Sequence, residues 1–226
     1  MKNKQRKFNK AIEEAQDGNY EYAYKIFTKV IYKYTPTSAS LLYAAYVNRG
    51  NVSTNLCEYQ IALSDYNKAI KINPDCDSAF INRGNLFYSL GFYDEALYDY
   101  DNALEINSDS KDTLNNRGNL YRIIENYEES QEDLNKALEI NPNYDAALLN
   151  RGLLREYLND YCGAIEDFSH VIELGDKDGS AHYHRAIIYR DYYGMKEKAM
   201  EDFRIAAALG NLHAQRKIHL YELGLN

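Results

Sequence analysis

The sequence predicts an all-α fold, an array of antiparallel helix pairs stacked as a solenoid. Three observations predict it. The arginine of a short Asn-Arg-Gly motif recurs at Arg49, Arg83, Arg117, Arg151 and Arg185, at intervals of 34 residues, and a fixed period of this length marks a repeat architecture. Within one period, apolar residues follow helical spacing twice, with a break between the two runs. The 226-residue chain is 45% hydrophobic yet has only 3 prolines, no tryptophan and 23 tyrosines. Few residues are left to break helices, and tyrosine supplies large packing surfaces with polar tips.

The clearest unit is 77–110. Ala79, Phe80, Gly84, Phe87 and Leu90 keep a helical period until Gly91 interrupts it, which predicts a first helix. Tyr93, Ala96, Leu97, Tyr100, Ala103, Leu104 and Ile106 resume the period until 107–110 stops it, which predicts a second, antiparallel helix. Gly50, Gly84, Gly118, Gly152 and Ala186 fall inside first helices. Glycine there costs about 1 kcal/mol relative to alanine, so close packing must offset it. The second helices bring small residues at Ala62, Ala96, Ser130, Ala164 and Ala199, read here as facing those glycines. Bulky knobs follow at Tyr66, Tyr100, Leu134, Phe168 and Phe203. Tyr59, Tyr93, Tyr127 and Tyr161 open second helices, and Pro74 and Pro142 end two units.

This order of small residue, glycine, aromatic, tyrosine, alanine, aromatic, alanine and proline resembles the tetratricopeptide repeat (TPR). The resemblance covers nearly the whole chain, in units 43–76, 77–110, 111–144, 145–178 and 179–213, the last carrying one inserted residue near Tyr192, Tyr193 and Gly194. A weaker unit, 4–37, fits through Ala11, Gly18, Tyr20, Ala23, Phe27 and Val30, with five extra residues after it. The stretch 208–215 resembles the related Sel1-like repeat, and a helix over about 211–223, made polar by Arg216, Lys217 and Glu222, reads as a cap completing the array. The resemblance implies a single domain over 1–226, a right-handed superhelical solenoid with a C-terminal capping helix.

The Asn and Arg of the motif cannot face the same way, because neighbours in a helix point about 100 degrees apart. For the arginines a second periodic set supplies the partner. Asp65, Asp99, Asp133, Asp167 and Asp202 follow Arg49, Arg83, Arg117, Arg151 and Arg185 by 16 residues, or 17 across the insertion. In a hairpin turning near Leu90 and Gly91, Arg83 and Asp99 lie opposite each other, so each unit is expected to hold a structural salt bridge.

The asparagines have no such partner set. Asn9, Asn48, Asn82, Asn116 and Asn150 form one row, and Asn51, Asn85 and Asn119 stand three residues on, along the same helix face. An amide offers donors and an acceptor together, so such rows can pair with an extended backbone. The resemblance implies that these places line a concave peptide-binding groove. Val47, Ile81, Leu149, Tyr88, Tyr157 and Tyr183 give it apolar patches, and Asp112, Arg122, Glu156, Arg190 and Asp191 give it both charges. The competing reading is that the asparagines bridge adjacent first helices or hold water. Related chaperone-binding domains clamp a carboxylate with groove cations; here those places hold Val47, Ile81, Leu149, Ala44 and Ala146, which disfavours such a ligand.

Net charge is −8, and residues 77–178 carry 22 acidic against 8 basic groups. That balance argues against nucleic acid as a partner. Acids such as Asp94, Glu95, Glu128 and Glu129 complement second-helix N-termini, with steering of a basic partner as the other reading. Lys2, Lys4, Arg6, Lys7 and Lys10 are read as a solvated first turn. No apolar run reaches a membrane span and 1–10 lacks a signal-peptide core, so a cytoplasmic protein without membrane attachment is expected. Cys57, Cys76 and Cys162 lack metal or redox spacing, and the five histidines match no catalytic motif. The expectation is therefore a non-enzymatic adaptor, without cofactor or metal, that binds a peptide or protein and is a monomer or weak homo-oligomer. The alternative is a structural solenoid that self-assembles or acts through its convex acidic face.

Overall fold

The computed structural model describes residues 2–33 and 38–223, with side chains from residue 5 onward. The end of the expected 4–37 unit and the side chains of Lys2 and Lys4 lie outside the described residues. Among those described there are thirteen α-helices and no strand. The chain divides into two compact units, Met1–Thr113 and Leu114–Asn226.

The first unit contains α1 (Lys2–Gln16), α2 (Tyr20–Tyr32), α3 (Ala39–Asn55), α4 (Tyr59–Ile72), α5 (Asp77–Ser89) and α6 (Tyr93–Ile106). Each helix packs on the next in sequence, and α1 also touches α3, as α3 touches α5. This is the nearest-neighbour pattern of stacked hairpins. Ser38 caps α3, its hydroxyl accepting from the Leu41 N–H at 3.3 Å. The core between the hairpins includes Phe8, Phe27, Val30, Tyr43, Val52 and Ala79.

The second unit contains most of α7 (Lys111–Ile123), then α8 (Tyr127–Ile140), α9 (Asp145–Tyr157), α10 (Tyr161–Gly175), α11 (Ser180–Asp191), α12 (Lys196–Ala208) and α13 (Leu212–Glu222). From α8 onward consecutive helices pack together, and α9 touches α11. Leu134, Leu154, Phe168, Ile188 and Phe203 are buried along this stack. The final helix, α13, has one fully buried side chain, Ala214.

The turn inside each hairpin repeats one backbone device. Gly91 sits at φ +80, and Cys57, Glu125 and Asn159, each displaced by a multiple of the 34-residue period, sit at φ 60, 66 and 64. A left-handed residue after the first helix lets the next N–H reach back over the final turn: Phe92 N–H bonds to Phe87 C=O at 2.9 Å, and Asn126 N–H to Tyr121 C=O at 2.8 Å. Glycine adopts this conformation without cost; the other three residues do not.

The glycine inside each first helix meets the bulky knob of its own hairpin, rather than only the small residue expected opposite it. A β-carbon on Gly50 or Gly152 would stand 2.6 Å from the ring of Tyr66 or Phe168. The aromatic ring lies against the helix backbone, and this contact holds the two helices close. Ser130 does face its glycine, the hydroxyl donating to Gly118 C=O at 2.7 Å.

Candidate functional site

The five arginines and aspartates meet as two-pronged pairs. In each, Nε donates to one carboxylate oxygen and Nη2 to the other: 2.7 and 2.7 Å for Arg49 and Asp65, 2.8 and 2.5 Å for Arg83 and Asp99, 2.7 and 2.8 Å for Arg117 and Asp133, 3.0 and 2.7 Å for Arg151 and Asp167, and 2.8 and 2.8 Å for Arg185 and Asp202. Matched fork geometry makes these the stronger kind of ion pair. The remaining Nη1 reaches the second helix of the preceding hairpin: Thr28 from Arg49 (3.1 Å), Asn67 from Arg83, Asn135 from Arg151 (2.9 Å) and Ser169 from Arg185 (2.9 Å). One guanidinium thus ties two helices of its own repeat to one of its neighbour.

Burial sets the electrostatics of these pairs. Desolvation raises the Asp99 carboxyl above its ordinary value, with Arg83 opposing that shift. The Arg185 guanidinium is held further toward its charged form by the Asp202 hydrogen bonds. Arg49 is the most enclosed, with the rings of Tyr24, Tyr32 and Tyr46 at 5.5, 5.4 and 5.8 Å. These arginines sit in the scaffold between helices, with side chains 5% to 22% exposed.

The asparagines divide by position. Asn51 and Asn85 accept from the hydroxyls of Tyr66 and Tyr100, both at 2.8 Å, while Tyr66 hydroxyl also lies 3.3 Å from Thr54. Burial pushes the Tyr66 phenol up to about 12, so it stays protonated and remains a donor. The bond fixes Oδ1 inward on a buried phenol that needs a partner. In the earlier row, Asn48 donates to its own helix at Ala44 C=O (2.8 Å), and Asn82 is half-buried with no side-chain hydrogen bond among the described residues. Tyr88 packs near Tyr93 with ring centroids 6.1 Å apart. Asn9 is exposed on α1 and accepts from Gln5 at 2.9 Å.

In the second unit the first row becomes an amide chain. Asn150 donates to Asn115 Oδ1 at 2.9 Å, and Asn115 donates to Asn116 Oδ1 at 3.3 Å, linking α9 to α7. Asn119 accepts from Arg122 at 2.9 Å. Tyr157 is 61% exposed and lies beside Tyr127 at 4.8 Å, toward the hairpin turns. His184, one period after Asn150, pairs with Glu156 at 2.9 Å. Asn150 therefore spends a donor on bridging first helices, as the competing reading of the row required.

The tetratricopeptide repeat family profile matches residues 43–76 and 112–144, and a second TPR profile matches 84–122. The chain is a tetratricopeptide repeat protein. Similar solved structures include a tetratricopeptide repeat protein from Parabacteroides merdae, 22% identical, covering 100% of both chains with a TM-score of 0.69. PilF of Pseudomonas aeruginosa is 19% identical over 96% of each chain, with a TM-score of 0.80. YrrB, described as a TPR protein with an unusual peptide-binding site, is 24% identical over 86% of this chain and 98% of its own, with a TM-score of 0.63. No curated protein matches in sequence.

Three features of this TPR protein lie outside the periodic sets. Asn115 occupies the place of Val47, Ile81 and Leu149, and Arg155 that of Phe87, Tyr121 and Tyr189. Arg155 brings a second guanidinium to Asp167 (2.9 Å) and also donates to Gly163 C=O at 3.1 Å. Asp176 accepts from both the backbone N–H and Nδ1 of His182, at 3.0 and 2.7 Å, pinning the start of α11. A polar residue breaking an apolar column was the signal for Asn115, whereas the column of Arg155 already holds Ser53. Among the described residues, no group of three or more His, Cys, Asp and Glu could hold a metal ion, and no helix is long and apolar enough to cross a membrane.

Proposed function

We propose that this TPR protein is a non-enzymatic adaptor that holds a peptide or protein segment on the first-helix face of its repeats. The observation behind this reading is the row of half-buried asparagines on successive first helices, above all Asn82, whose amide is uncommitted within the described chain. An amide with free donor and acceptor pairs with an extended backbone without demanding a particular side chain. Asn48 and Asn51 on α3, Asn82, Asn85 and Tyr88 on α5 form the surface in the first unit. Asn116, Asn119 and Arg122 on α7, with Asn150 and Tyr157 on α9, form its counterpart in the second. Asn51 and Asn85 have Oδ1 engaged by the buried phenols of Tyr66 and Tyr100.

The test is capture of a partner from lysate with the full chain, identified by mass spectrometry and compared with Asn48→Ala/Asn82→Ala. The variant is expected to lose the partner while keeping its helical content. Unchanged capture would move binding to another face and favour the convex acidic surface. Light scattering over a concentration series separates that outcome from self-assembly.

A further inference from the structure

The C-terminal hairpin contains a pocket that the asparagine rows do not use. Its volume is about 490 Å³, inside the range of about 300 to about 1,000 Å³ common for small-molecule sites. Ala199 and Phe203 of α12, 1% and 2% exposed, lie deepest among its lining residues; Met200 and Leu220 flank them, and Tyr221 stands at the exposed side. Lys196, Ala199, Met200 and Phe203 of α12 and Lys217, Leu220 and Tyr221 of α13 line it, while Ala214 and Ile218 of α13 pack into the core with Ala199 and Phe203.

The charges around this apolar lining are unbalanced. Arg190, Lys196 and Lys217 line it with one acid, Asp191. Arg190 donates to both oxygens of Asp191, at 2.5 and 2.8 Å, and lies over the Phe203 ring at 5.5 Å. Those bonds, with Lys217 nearby, hold the Asp191 carboxyl below its ordinary value, so it stays ionised and balances Arg190. Among the described residues, Lys196 and Lys217 enter no ion pair. Three cations therefore share one carboxylate, and the two ammonium groups give the apolar pocket a net positive charge.

We propose that this pocket binds a small amphiphilic carboxylate, with its apolar chain on Phe203, Met200 and Leu220 and its carboxylate between Lys196 and Lys217. Burial of the chain drives entry, and the charge-assisted hydrogen bonds select the anion. A neutral alcohol of equal length gains only the first contribution. An alkylammonium meets like charge.

The probes are sodium octanoate, octan-1-ol and octyltrimethylammonium, each titrated into the isotopically labelled full chain and followed by amide NMR. Octanoate is expected to give saturable shifts confined to α11–α13, octanol to bind about tenfold more weakly, and the ammonium not to bind. Lys196→Ala/Lys217→Ala should bring octanoate down to the octanol level. Met200→Trp, which fills the pocket, should remove both; circular dichroism checks its fold, and if it unfolds the lysine pair alone decides. Equal binding of octanol and octanoate, or octanoate shifts untouched by the lysine pair, overturns the proposal. So does failure of octanoate alongside binding of a peptide with a free apolar C-terminus. Asn48→Ala/Asn82→Ala lies in the other unit and should leave the octanoate titration unchanged, which separates this site from the adaptor reading.

Discussion

Asp167 accepts from two guanidiniums, Arg151 and Arg155, whereas Asp202 accepts from Arg185. Both carboxylates are nearly enclosed, at 4% and 6% side-chain exposure. Removing one partner of a buried pair costs about 3 to 5 kcal/mol, chiefly because the other charge is stranded. Asp167→Ala strands Arg151 and takes one of the partners of Arg155, which keeps Gly163 C=O at 3.1 Å and Asp160 at 3.7 Å, and is expected to destabilise by about 1 kcal/mol more than Asp202→Ala, each measured by urea unfolding. Adding Arg155→Leu to Asp167→Ala should recover part of the loss. Equal losses for the two aspartates would show that Arg155 finds water as readily as it finds Asp167. The Arg–Asp register was legible in the sequence because both residues keep the 34-residue period and lie symmetrically about the turn. Arg155 was not, because it appears once, in a column otherwise filled by Ser53 and aromatics. The asparagine rows were legible as positions but not as roles: only the side-chain geometry separates Asn51 and Asn85, partners of buried phenols, from Asn82, which has no such partner among the described residues.

Between helices, the fit of knob to glycine sets how closely a hairpin closes. A β-carbon at 152 would lie 2.6 Å from Phe168 Cε1, while one at 118 would lie 3.0 Å from Leu134 Cγ. In both cases alanine gains about 1 kcal/mol of helix propensity. Against a rigid ring the overpacking cost of about 1 to 3 kcal/mol exceeds that gain; against a leucine able to shift, the two nearly cancel. Gly152→Ala is expected to lower stability by about 1 kcal/mol and Gly118→Ala to leave it within about 0.5 kcal/mol of the parent. Phe168→Leu should make Gly152→Ala tolerable, and a loss independent of the residue at 168 would rule out the ring as its cause. Helices and their order were readable from periodicity, since every hairpin buries the same columns. The turns were readable at Gly18, Gly91 and Gly194: Cys57, Glu125 and Asn159 share their left-handed backbone, but nothing in their residue types announces it. The partner of each glycine was misjudged in part for a related reason, as spacing shows which residues share a face but not which of them projects furthest.

Across the whole molecule, charge is distributed in two distinct ways. The five periodic Arg–Asp pairs are buried, with arginine side chains 5% to 22% exposed, and dissolved ions reach them poorly. Most of the acidic excess of 77–178 lies on the outside: Asp94, Glu95, Glu105, Glu128, Glu129, Glu132, Glu139 and Glu166 are all exposed. Like charges on a folded surface repel, and the repulsion eases when the chain expands, so it works against folding. Salt screens it over a Debye length that shrinks from about 30 Å at 0.01 M to about 3 Å at 1 M. The melting temperature is therefore expected to rise between those salt concentrations, by a few degrees, with sodium chloride as the salt and circular dichroism as the readout. A melting temperature that fell with salt would mean that exposed pairs such as Lys177 with Asp145 and Arg190 with Asp191 outweigh the repulsion. The Lys177→Ala variant discriminates further: the Asp145 carboxyl is held below its ordinary value mainly by its hydrogen bond to Lys177, so without that lysine the rise with salt should be steeper.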